Sequence, residues 1–362
     1  MNEKGFPLRY PLLAMAVLSL AAGAWLGLIR LGLEIPRLRP ASPLSHGPLM
    51  VSGFLGTLIA VERAIALRRG WTYIGPLLSG LGGLALIAGL PGEWLLTLGS
   101  LGLVIVFVVI VRSHPAPYTV TMGLGAVAWL AGNVLWLAGL PVQKVVLLWA
   151  GFLILTIAGE RLELGRLLRF PEARQSLFAA ANGLFIAGAV VATVRLVPGM
   201  RLAGVGMLAL TLWLLRHDIA RRTVQREGVT RFIAVCLLSG YAWLGIAGVL
   251  GMSFGLLGGA FSYDALLHAI FLGFVFAMIF GHAPIIIPAI AGVSPPYHPA
   301  FYVHLGLLHL SLLLRVSGDI AGWIPGRQWG GLINVVAGIL FLMNTAYALF
   351  LQRGNGPPDA QS

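Results

Sequence analysis

An all-α, polytopic membrane fold of about twelve spans is predicted by three observations. Hydrophobic residues make up 58% of the 362-residue chain and charged residues only 10%, with a mean hydropathy of +0.91. Soluble domains carry roughly a quarter of their residues as charges. Apolar runs long enough to cross a bilayer, ~20 residues each, recur along the whole length. These runs are continuous rather than alternating, which favours helices over barrel strands.

The first run follows "MNEKGFPLRY". At about 20 residues it is longer than a signal-peptide core of about 7–15, so it is read as a retained span over 9–32. The remaining spans are predicted at 45–67, 72–90, 93–112, 118–140, 142–168, 175–197, 200–216, 230–252, 262–290, 300–322 and 327–352. Two pairs, 72–90 with 93–112 and 175–197 with 200–216, are separated only by short Pro-Gly turns. The whole chain, 1–362, reads as one integral membrane domain.

Lysine and arginine set the expected orientation. Sixteen of the 24 fall at the termini and in the loops after even-numbered spans, among them Arg161, Arg166, Arg169, Arg174, Arg216, Arg221, Arg222, Arg226 and Arg231. The positive-inside rule then places both termini in the cytoplasm of a prokaryotic inner membrane. The net charge of +12 is explained by these loops, without a nucleic-acid partner. Cys236 is the only cysteine, which excludes an intramolecular disulfide and a cysteine metal site. There is no P-loop and no Rossmann turn.

A repeat runs through the chain. Span 2 contains "GFLGTLIAVER", span 6 "GFLILTIAGER" and span 10 "GFVFAMIFGHA". Each places an ionisable residue nine positions after the glycine: Glu62, Glu160 and His282. The predicted organisation is three pseudo-repeated four-helix units, about 1–116, 117–226 and 227–362. Ionisable groups are scarce and costly inside spans, so their recurrence at one depth is informative.

Five of the eight histidines, His46, His268, His282, His304 and His309, lie in or at spans 2, 10 and 11. His114, His217 and His298 belong to loops. Depth divides the five into two levels. His46 and His268 lie towards the outside, and two neutral imidazoles from different helices can clamp a haem iron. Haem propionates would then call for nearby cations, for which Arg315, Arg327, Arg37 and Arg39 are candidates; Arg315 can equally pair with Asp319 at i,i+4. The inner level gathers His282, His309, Glu62 and Glu160, a donor set suited to copper, iron or zinc or to a proton relay. His304 is placed nearer the cytoplasmic surface as a further metal-ligand candidate. Fourteen residues at 100° each bring His282 within about 40° of the face of His268. Glu62 and Glu160 each abut an arginine and have local ion pairing as the plain alternative.

Twelve spans in units of four, with histidines on helices 2 and 10, resemble subunit I of the haem-copper oxidases. "HGPLM" at His46 is similar to the helix-2 motif that supplies one axial ligand of a low-spin haem there. Helix 10 departs from that family, which places two histidines two residues apart. Spans 6 and 7 lack the oxidase copper-binding histidines altogether. The closer resemblance is to the NnrS family of haem- and copper-containing membrane proteins. It is carried by "HGPLMVSGFLGTLIAVER", "LLHAIFLGFVFAMIFGHAPIIIPAI" and "FYVHLGLLHLSLLLRVSGD". The resemblance implies haem b, copper and a role in nitric oxide handling, nitrosative stress or denitrification. It implies nitric oxide or another small redox substrate, an electron donor, and haem-dependent oxidoreductase chemistry without the usual oxidase copper site. Two other readings stay open: a secondary transporter using the intramembrane Glu and His, and a non-catalytic haem- or metal-binding partner subunit.

Overall fold

The computed structural model describes residues 8–38, 40–165, 171–256, 260–291 and 297–354. The described chain is helical, without strands. Twelve helices are long and apolar enough to cross a membrane, which makes this a multi-pass membrane protein: α1 Arg9–Arg30, α2 Pro43–Leu67, α3 Gly70–Ile87, α4 Glu93–Ser113, α5 Pro117–Leu137, α6 Val142–Leu164, α7 Glu172–Val194, α8 Leu196–His217, α9 Gly228–Met252, α10 Phe261–Ile287, α11 Phe301–Ala321 and α12 Ile324–Tyr347. Each predicted span has its helix. Arg166 and Arg169 of the basic connection after α6 lie outside the described residues. The first tight turn is real: Gly89 bends the α3–α4 connection at φ +69. The second falls earlier than expected: Arg195 alone separates α7 from α8, and Pro198 and Gly199 lie in the first turn of α8, where a proline needs no N–H partner.

The chain divides into two compact units, Met1–Gln175 with Phe185–Met200, and Ser176–Leu184 with Arg201–Ser362. In the first unit α1 packs on α2 and α3, α3 on α4, α4 on α5, and α5 on α6. Helix α6 is buried along most of its length, so it is apolar on every side, as a core helix must be. In the second unit α9 packs along α10, the start of α10 packs on α11, and α11 on α12.

Two helices are not regular. Leu49–Gly56 of α2 and Ala269–Phe276 of α10 are π-helical. Both stretches are eight residues long, and both begin four residues before the glycine of the Gly-Phe pair. The register of the repeat therefore has a backbone counterpart in α2 and α10. It has none in α6, which stays α-helical through Gly151 and Phe152. The i→i+5 ladder of a π stretch turns less per residue than an α-helix. The 100° arithmetic that put His268 and His282 on one face therefore fails across Ala269–Phe276.

Each wide stretch is buttressed by a tryptophan. In the first unit Trp129 from α5 lies against Gly56, and in the second Trp243 from α9 lies against Gly273. Neither glycine leaves room for a methyl group. Trp129 also donates Nε1–H to Ser52 Oγ at 2.9 Å and stacks on Phe152 at 4.7 Å. Ser79 Oγ donates to the Ser52 carbonyl at 2.8 Å, giving that carbonyl a partner from outside its own helix. Asn133 closes the network by donating to the Leu96 carbonyl at 3.2 Å.

Gly56→Ala and Gly273→Ala should each lower stability by roughly 1–3 kcal/mol through overpacking. A methyl group added at Gly338 would meet nothing within 4 Å, so Gly338→Ala should be neutral or slightly stabilising. Thermal unfolding in detergent compares the three; identical midpoints would show that the tryptophan seats are not close-packed.

Candidate functional site

In the first unit, His46 opens the first turn of α2, where the chain enters from the Pro43–Ser45 turn. Its ring lies over Gly27 of α1, where an added Cβ would stand 2.8 Å from His46 Cε1. His46 Nδ1 is 2.7 Å from the Gly23 carbonyl. A carbonyl only accepts, so Nδ1 carries the proton and the lone pair sits on Nε2. In the second unit, His268 is the last residue before the π stretch of α10. Its Nδ1 is 2.8 Å from the Asp264 carbonyl, which fixes the same tautomer. Ring nitrogens of metal-ligating histidines are characteristically tied to a carbonyl or carboxylate in this way. The donor chemistry of both imidazoles thus fits axial ligation of haem.

Asp264 is also the hub of a charge cluster in the second unit. Arg315 Nη2 donates to Asp264 Oδ2 at 3.0 Å, and Arg327 Nη2 reaches the same oxygen at 3.5 Å. His268 Nδ1 lies 3.4 Å from Asp264 Oδ1. Arg327 Nε donates to Asp319 Oδ1, and its guanidinium stands 4.0 Å over the Phe261 ring. Arg315 and Asp319 are 7% and 3% exposed.

This pairing corrects the expected Arg315–Asp319 contact. Asp319 takes Arg327 instead, because the turn at Gly322, φ +67, folds the start of α12 back beside the end of α11. Arg315 is left facing α10 and Asp264. The two arginines are therefore already matched by two carboxylates rather than presented as bare cations. Arg315 Nε and Asp319 Oδ2 remain buried without a hydrogen-bond partner among the described residues. Arg37 is exposed on the connection before α2, and Arg39 lies outside the described residues. Sequence reasoning missed Asp264 as a site residue; its signal was an acid one turn before a histidine inside an apolar run.

The inner candidates divide between the two units. In the first unit Arg63 of α2 donates to Glu160 of α6, and Glu62 lies 3.6 Å from the same guanidinium. Both carboxylates are thus engaged with one arginine, the plain alternative in a cross-helix form. In the second unit His282 Nδ1 is 2.7 Å from the Met278 carbonyl. His309 Nδ1 accepts from Trp243 Nε1 at 3.0 Å, and its Nε2–H lies 2.9 Å from Ser239 Oγ. With both nitrogens committed, His309 is a buttress of the π stretch and has no lone pair to give a metal. His304 accepts from Asn344 Nδ2 at 3.1 Å inside a shell of Phe232, Phe280, Phe301 and Phe341. Among the described residues no three His, Cys, Asp or Glu side chains converge as a metal-binding set. The residues proposed for copper do not fit that ion.

A family model described as a domain of unknown function (DUF8744) matches residues 9–350. The match covers nearly the whole chain, and the chain belongs to that family. No curated protein and no solved structure matches it.

Removing the hub of the charge cluster strands the Arg315 guanidinium in a low-dielectric site and leaves Arg327 with Asp319 alone. Asp264→Ala should cost about 3 kcal/mol, the size of breaking one buried pair. Asp264→Leu combined with Arg315→Met should recover part of that loss. A double-mutant cycle on thermal unfolding measures it, and strict additivity of the two changes would show that Asp264 and Arg315 are not coupled.

Proposed function

We propose that this member of the family is a redox-active haem b protein of the prokaryotic cytoplasmic membrane, with both termini cytoplasmic, that handles nitric oxide. One observation supports the haem most strongly. His46 and His268 each hold Nδ1 on a main-chain carbonyl at 2.7 and 2.8 Å, His46 three residues before the π stretch of α2 and His268 immediately before that of α10. Such wide turns are rare and concentrate at functional sites. The nitric oxide assignment, or another small redox substrate, rests on the resemblance of the His46 and His268 motifs to the NnrS family.

Bound at such an imidazole, haem would supply a one-electron couple at its iron. The protein's share is positioning. The Gly23 and Asp264 carbonyls fix both tautomers, hold both rings against rotation and raise the basicity of Nε2. Gly27 lets the α1 backbone come up to the His46 ring. Arg315 and Arg327 keep the Asp264 carboxylate beside His268. Copper is not part of the proposal, because neither unit gathers three His, Cys, Asp or Glu side chains into a metal-binding set among its described residues.

A second reading, secondary transport, is favoured by one observation: the buried Asp319 carboxylate has one oxygen without a partner among the described residues. Intramembrane carboxylates of that kind mark ion and proton pathways.

Reduced-minus-oxidised spectra of the protein purified from a haem-replete host separate the two. The haem reading expects a sharp α band with stoichiometric haem, lost in His46→Ala and in His268→Ala and retained in His309→Gln. Purified protein without haem would overturn it and leave transport ahead.

A further inference from the structure

A second polar site lies in the second unit, at the first turns of α9 and α11, away from His268 and the Asp264 cluster. It is a cavity of about 510 Å³ lined by Glu227, Gly228, Arg231, Val235, Tyr297 and Tyr302. Gly228 is the first residue of α9 and Tyr302 the second of α11. Helix α9 has 25 residues, which gives it a length of ~37 Å, more than the ~30 Å of a hydrocarbon core. Its terminal turns reach the headgroup layer. Tyrosine pairs are also characteristic of that depth.

The charge around the cavity is one-sided. Between 216 and 231, Arg216, Arg221, Arg222, Arg226 and Arg231 are all exposed. Of the two carboxylates there, Asp218 is buried; it accepts from Tyr241 Oη at 2.9 Å and from the Ala220 amide at 2.7 Å. Only Glu227 is exposed. Arg231 has no salt bridge among the described residues, although it lies on the cavity wall. Part of the lining is phenolic: Tyr297 and Tyr302 pack on Phe232 at 6.5 and 5.3 Å between ring centroids; Val235 makes the lining partly apolar.

We propose that this cavity binds the headgroup of an anionic phospholipid, phosphatidylglycerol in its simplest form. The phosphate sits against the Arg231 guanidinium and the tyrosine hydroxyls. Glu227 accepts from the headgroup's own hydroxyls, and Val235 meets the start of the acyl chains. The chemistry selects against a zwitterionic headgroup, whose quaternary ammonium would be brought into an arginine-rich surface. A soluble phosphate compound would leave the apolar part of the lining unused. The surrounding arginines draw anionic lipid to the rim, as juxtamembrane polybasic segments do. This site is independent of the haem reading and stands or falls without it.

The test is native mass spectrometry of the full-length protein released from nanodiscs of equimolar phosphatidylcholine and phosphatidylglycerol. The wild type should retain phosphatidylglycerol preferentially. Arg231→Gln should lower that retention about fivefold, the effect of one interfacial arginine, whereas Arg231→Lys should keep most of it and so control for folding. Tyr302→Phe should give a smaller loss. Equal retention of the two lipids by the wild type, or unchanged retention in Arg231→Gln, overturns the proposal. Arg231-dependent binding of inorganic phosphate to the delipidated protein, strong enough to displace phosphatidylglycerol, would also overturn it, by assigning the cavity to a soluble anion.

Discussion

In hydrocarbon a polar group must find its partner inside the protein, and in the second unit that constraint converges on Asp264. Its carboxylate is met by guanidinium groups from α11 and α12 and by an imidazole from its own helix. Three helices are thereby held in one relative register. Asp264 and Arg315 cannot be exchanged singly for an apolar residue without upsetting the match of two arginines to two carboxylates. The same hub anchors His268, because the carbonyl of Asp264 takes the Nδ1 proton. Charge satisfaction and ligand orientation are one arrangement in this part of the molecule.

The first unit meets the same constraint with neutral groups. Ser52, Ser79, Trp129 and Asn133 join four helices through hydrogen bonds centred on the π stretch of α2. In the second unit Trp243, His309 and Ser239 bind α9 to α11 beside the π stretch of α10. The tryptophans come from different places in the two units, α5 in one and α9 in the other, yet each fills the space over a glycine of the wide stretch. The repeated element is thus the widened helix, and its support differs between the two units. This explains why His309, so suggestive as an intramembrane histidine, has a structural task.

The fold was almost fully legible in the sequence, since a span is a one-dimensional property: ~20 apolar residues in a row, punctuated by Pro, Gly and Arg. The Gly-Phe repeat was legible as well, and it pointed to the two helices that share a π stretch. Its third copy, in α6, shares the letters and the Arg-bound carboxylate but has a regular backbone. Letters could not separate these cases, because the widening depends on what fills the space beside each glycine.

What the sequence determined by itself was the number of helices, their ends, and which few positions carry ionisable groups inside them. Only the tertiary structure decided which of those groups meet. Arg315 prefers Asp264, 51 positions away, to Asp319 four positions away. Glu160 takes Arg63, 97 positions away. Wide turns break the regular face arithmetic, and tight turns bring later helices back alongside earlier ones. Pairing inside a membrane is settled by helix packing, where the cost of an unmatched charge outweighs nearness along the chain.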